Sequence, residues 1–312
     1  MKIILFGLRR SGTTLAFNIF RRCHDLRCYY EPMHPNLVDG NGASCIENDR
    51  KGAFSEYKLL QEELKHRHAG FGAPRYDVLE ELVADNLTPR HLDYLDFLFC
   101  SAGKVLLQPV RLNYQLYQLR ERYPDARFVW VLRRPDGFIN SVLAYRDSLL
   151  TYKDAGIPGN TAISSFRKNP IFRLMRGWHA FDNPWSQVAA ANHIVASRPS
   201  FRGMESLPTW IKLAALWYDH YLFASKFINA NRESCHVLSY DKACGSVGYI
   251  KELMAAIGLP HSDNAFDGLI DAGIMRKQSQ SRIDIAETER MIQERLAASG
   301  IELDLSFRHL LD

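Results

Sequence analysis

Two clusters of residues in this sequence have the chemistry to hold anions. The first is Gly7-Leu8-Arg9-Arg10-Ser11-Gly12-Thr13-Thr14. Its glycines let a backbone curl. The amides of a helix starting there would point into the curl, backed by roughly half a unit of positive charge from the helix dipole. Ser11, Thr13 and Thr14 add hydroxyl donors, and Arg10, with Arg9 beside it, adds a fixed cation. The shape is that of the phosphate loop G-x-x-x-x-G-K-[ST], but Thr13 stands where its Lys would be. ATP- and GTP-cleaving enzymes need that Lys on the β and γ phosphates. The second cluster follows the apolar run Phe128 to Leu132. Arg133-Arg134-Pro135 ends that run, and Ser141 lies eight positions after Arg133. An Arg at a strand's carboxyl end and a Ser one to two turns into the next helix can converge on one phosphate. Two cations also stand where a magnesium-binding Asp would end the strand. The pattern therefore holds phosphates but suits metal-assisted phosphoryl transfer poorly.

Both clusters need strands that feed helices, and the periodicity supplies them. Residues 2–6 read as a short buried strand, and 13–24 as a helix with Leu15, Ala16, Ile19, Phe20 and Cys23 on one face. Further strands read at 27–31, 104–110, 127–132 and 236–240. Helices read at 113–123, from Pro135 onward, at 247–257 and in a charged segment near the end. Helical pieces between 54 and 99 break near 70–74 and at Pro89. The stripe Trp210, Leu213, Ala214, Trp217, Tyr221, Ala224 and Ile228 reads as the core face of a long helix. This order predicts an α/β fold: three α/β/α layers around a mostly parallel sheet, like that of P-loop NTPases. One domain spans 1–312. Residues 155–209, basic on balance and carrying Trp178 and Trp185, read as an insertion over the acceptor site or as a solvated helical hairpin.

Composition narrows the class. A chain of 312 residues, 46% hydrophobic and 24% charged, fits one large α/β domain. A net charge of +4 is too small to argue for nucleic acid as a partner. Six cysteines without a C-x-x-C pair point to a reduced, cytoplasmic setting and no metal centre. No apolar run has the length of a signal segment or a transmembrane helix.

The loop Arg10-Ser11-Gly12-Thr13-Thr14 resembles the 5′-phosphosulfate loop of sulfotransferases, which lack the phosphate-loop Lys. Residues 128–141 resemble that family's 3′-phosphate motif: a strand ending in Arg, a nearby Pro, and a Ser eight positions on. Val237-Leu238-Ser239-Tyr240-Asp241 is similar to its "Y-E-D-L" strand end. The likeness runs from Gly7 to about Pro260, leaves the insertion unmatched, and is nearest the bacterial and tyrosylprotein sulfotransferase branch. It implies 3′-phosphoadenosine 5′-phosphosulfate (PAPS) as donor and PAP as product. Arg9, Arg10, Ser11, Gly12, Thr13, Thr14, Arg133, Ser141 and Tyr240 would contact the donor. Arg276 and Lys277 match half of the family's R-K-G-x-x-G signature and would close over the 3′-phosphate.

On the acceptor side, Glu31 lies 21 residues after Arg10, the offset of the catalytic Glu in tyrosylprotein sulfotransferases. It is the expected general base, with His34 as its rival. Those relatives carry a catalytic Lys two residues before a Pro, whereas here Leu107 and Gln108 precede Pro109. Arg111 is the expected substitute cation, beside Arg10. The implied reaction is an in-line, metal-independent sulfonate transfer to a hydroxyl or amine of a small molecule, carbohydrate or lipid. Two other readings stay open: a kinase with a degenerate phosphate loop, and a non-catalytic nucleotide binder.

Overall fold

A computed structural model describes residues 1–33, 55–60, 80–83, 86–154, 184–262, 266, 285–303 and 307–311. Five strands form one sheet: β1 (Lys2–Phe6), β2 (Arg27–Tyr30), β3 (Val105–Gln108), β4 (Arg127–Leu132) and β5 (Cys235–Ser239). Their order is β2-β3-β1-β4-β5, and every pairing is parallel. Parallel strands buried on both faces need continuous apolar runs, and Ile3-Ile4-Leu5-Phe6 and Phe128-Val129-Trp130-Val131-Leu132 supply them, all buried.

The pleat sends alternate side chains to two cores. Ile4, Phe6, Leu107, Phe128 and Trp130 face a larger core built with α2 (Pro89–Phe99), α4 (Pro135–Asp154), α5 (Pro184–Ser197) and α6 (Thr209–Ala230). Ile3, Leu5, Leu106, Val129 and Val131 face a smaller one, closed by α1 (Thr13–Phe20) and α8 (Val247–Ile257). With α3 (Leu116–Arg122), α7 (Tyr240–Gly245) and α9 (Ile285–Ala298), the described elements make the three-layer α/β/α fold that the sequence predicts.

Helix ends follow local chemistry. Pro89 opens α2 rather than breaking the chain: Thr88 accepts from the His91 N–H, and the His91 ring accepts from the Thr88 N–H. The first helix stops at Phe20, four residues earlier than periodicity suggests. The Arg22 and Cys23 amides turn back to the carbonyls three residues before them, which tightens the last turn. The α6 stripe is core as expected, except that Trp210, in the first turn, is 39% exposed. Within the expected insertion, 155–183 lies outside the described residues. From Pro184 the chain is a helix whose Ala190, Ala191, Ile194 and Val195 are buried in the larger core. No described helix is long and apolar enough to cross a membrane.

Candidate active site

All five strands run the same way, so their carboxyl ends share one edge, where open α/β sheets bind ligands. Phe6 pairs with Trp130, which places the turns after β1 and β4 side by side. Tyr30 pairs with Gln108, which places the Glu31 corner beside the β3 turn.

The turn after β1 has the shape of an anion loop. Its Gly7 N–H is held by the Asn113 carboxamide oxygen at 2.9 Å, and the Ser11 N–H closes on the Leu8 carbonyl at 3.0 Å. Arg10 and Gly12 take left-handed backbone angles, φ 74° and 92°. That conformation costs a non-glycine residue about 1 kcal/mol or more, so the loop is held by its surroundings. Thr13 is buried at the start of α1. Thr14 is exposed, with its hydroxyl 3.0 Å from the Tyr30 hydroxyl.

The turn after β4 meets this loop directly. Arg133, buried to 7% exposure, donates from Nη1 to the Arg10 carbonyl at 2.9 Å. Its own carbonyl accepts from the Trp217 indole at 3.0 Å. Ser141, in α4, accepts from Arg10 Nε at 3.2 Å. The Tyr240 ring, at the end of β5, carries the Arg133 guanidinium at 4.4 Å from its centroid. Arg10, Arg133, Ser141 and Tyr240 therefore converge, although the first loop, the β4–α4 corner and β5 are far apart in sequence.

The acceptor corner is arranged differently from expectation. Glu31 directly follows β2 with φ 41°, a strained angle for a non-glycine residue, and is half-buried. Arg9 turns to Glu81, 2.6 Å from Oε1, and Arg111 donates to the same oxygen at 2.9 Å. Arg111 is 1% exposed, so its charge is compensated within the fold by Glu81. Burial raises the Glu81 carboxyl, both arginines lower it, and nearby Glu31 pushes it up again. His34, Arg276 and Lys277 lie outside the described residues.

Several residues here were not singled out in the sequence. Glu81 lies in a short turn without periodicity, and Asn113 in a loop. Trp217 reads as core, which it is, but its indole N–H also fixes the Arg133 backbone. The carboxamide of Gln108 is fully buried at the β3 end, with no hydrogen-bond partner on either atom among the described residues.

A model of the Sulfotransferase family matches residues 2–195, which include both anion corners, Glu31 and Ser141. No curated protein matches the chain. Among solved structures, the sulfotransferase domain from the curacin biosynthetic pathway aligns at TM-score 0.48 and 12% identity, over 97% of this chain and 98% of that one. A sulfotransferase from Alicyclobacillus acidocaldarius gives 0.44 and 12%, over 97% and 96%. Sulfotransferase STF1 from Mycobacterium tuberculosis H37Rv gives 0.41 and 15%, over 95% and 76%.

Proposed function

Because the chain belongs to the sulfotransferase family, we propose that it moves the sulfonate group of PAPS to the hydroxyl or amine of an acceptor. One observation carries this reading: the two anion corners stand on adjacent strands and touch, through Arg133 Nη1 and the Arg10 carbonyl at 2.9 Å. The 3′- and 5′-phosphates of the donor hang from a single ribose, so their binding corners must be close neighbours. Adjacent strands lie about 4.8 Å apart, a spacing of that order.

In this reading the amides and hydroxyls of residues 9–14 hold the phosphosulfate. Arg133 and Ser141 hold the 3′-phosphate, with Tyr240 beside them and Arg276 and Lys277 adding charge from the late segment. The donor supplies an activated sulfonate. Glu31 takes the acceptor proton as the sulfur–oxygen bond to the leaving phosphate breaks and the bond to the acceptor forms. His34 is the rival for that proton. Arg10 balances charge on the leaving phosphate, and Arg111, paired with Glu81, braces the corner behind it. The acceptor in this reading is a small molecule, a carbohydrate or a lipid. The unpaired thiols of the five described cysteines fit a reducing, cytoplasmic setting.

Calorimetry of the full chain with PAP, and separately with ATP and magnesium, tests the donor. The expected result is PAP binding and no heat from ATP–magnesium, and the reverse would sink the proposal in favour of a kinase. Labelled PAPS on a panel of phenols, sugars, amines and lipids then tests transfer. PAP binding with no turnover on any acceptor would favour a non-catalytic binder.

A further inference from the structure

The ring of Tyr240 occupies a place that explains two features of the site at once. One side of it lies against the phosphate loop: a Cβ at Gly12 would sit 1.9 Å from Tyr240 Cδ2 and 2.4 Å from Cε2. No residue but glycine fits there while the ring stays. The Arg133 guanidinium also lies over this ring, 4.4 Å from its centroid, within cation–π range. On the α4 side Arg133 is confined by Gly137, where a Cβ would come within 2.8 Å of Nε. The ring is thus wedged between Gly12 and Arg133, and only 8% of Tyr240 is exposed.

What holds Arg133 is as telling as where it is. A buried guanidinium is ordinarily neutralised by a carboxylate. Among the described residues, Arg133 has a backbone carbonyl on Nη1 and no hydrogen-bond partner on Nε. Asp241, the nearby acid, acts on Arg133 through its charge alone, and its carboxylate accepts its hydrogen bond from the Arg134 backbone N–H at 3.1 Å. An aromatic face attracts a cation without cancelling its charge, and so leaves that charge for an incoming anion.

We propose that Tyr240 is a positioning residue, whose ring fixes the Arg133 guanidinium against the phosphate loop with its charge still available to the donor's 3′-phosphate. The inference rests on the donor assignment above and changes the part Tyr240 plays in it, from a contact of the nucleotide to a support for the residue that reads the 3′-phosphate. It follows that the ring governs selectivity for nucleotides bearing a 3′-phosphate, and not the affinity of the 5′ end.

Calorimetric titration of the full chain with PAP and with 5′-AMP, which lacks the 3′-phosphate, separates these effects. Tyr240→Leu is expected to weaken PAP about tenfold while 5′-AMP changes less than about threefold. Tyr240→Phe, which keeps the ring, recovers most of the loss. An unchanged PAP affinity in Tyr240→Leu overturns the proposal, and so does an equal loss for both nucleotides, which would mark a general defect of the loop. If the leucine variant does not fold, pentafluorophenylalanine at 240 keeps the shape but removes the attraction for a cation. It must lower PAP affinity severalfold relative to phenylalanine, or the ring does not act on Arg133. A wild-type protein that binds PAP no better than 5′-AMP defeats the donor reading itself, and this inference with it. A wild-type preference that survives in Tyr240→Leu defeats only the role given to the ring.

Discussion

Single residues carry the chemistry, and two of them can be tested by removing one group each. Glu31 stands at the carboxyl end of β2 with φ 41°, on the edge shared with the phosphate loop. Removing a general base typically costs about 10²–10⁴ in rate. Glu31→Gln is therefore expected to lose turnover by that order in a PAPS assay while PAP still binds in calorimetry. Near-normal turnover in Glu31→Gln, together with loss in His34→Ala, would move the base to His34. Arg133 offers a buried, charged donor, and hydrogen bonds of that kind are worth roughly 1.5–3 kcal/mol. Arg133→Ala should weaken PAP by tens of fold, and an unchanged dissociation constant would remove Arg133 from the donor site.

At the scale of elements, the single turn Glu80–Leu82 and the Val83 that follows it are tied into the molecule by four side chains from elsewhere in the chain. Arg9 from the phosphate loop and Arg111 from the turn after β3 share Glu81 Oε1. Gln115 donates to the Val83 carbonyl at 2.6 Å, and Arg198, just past α5, to the Leu82 carbonyl at 3.2 Å. Losing one member of a buried ion-pair group leaves charge uncompensated and costs about 3–5 kcal/mol. Glu81→Leu is expected to lower the urea midpoint accordingly without changing the slope of the transition, and an unshifted midpoint would mean that Arg9 and Arg111 find other compensation. Nothing local marks this turn, because its order comes from distant arginines rather than from its own periodicity. The strands are the opposite case. Lys2–Phe6 and Arg127–Leu132 stand in the sequence with the bounds they have in the fold, since unbroken β-branched and aromatic runs suit a strand buried on both faces.

For the whole molecule, one buried titratable group makes stability depend on pH. His220, on α6, packs edge-on to the rings of Tyr114 and Trp130, and burial pushes its pKa from 6.5 down to about 3. Between those values the unfolded chain holds a proton that the folded chain lacks. Stability therefore falls as pH drops below about 6.5, at up to ~1.4 kcal/mol per pH unit from this residue. His220→Phe should flatten the melting temperature between pH 6.5 and pH 4 relative to wild type, and an unaltered slope would mean that other groups set it. By itself the sequence determined the order of the strands and of most helices, the two anion-holding motifs and the family they resemble. All of these are local patterns of residue type and spacing, and local sterics and burial decide them. Only the tertiary structure decided that Arg133 touches the Arg10 backbone, that Tyr240 is wedged between Gly12 and Arg133, and that Arg9 and Arg111 share Glu81. Those contacts depend on which strands lie side by side, and the order β2-β3-β1-β4-β5 is set by packing the two cores over the whole chain rather than by any one segment.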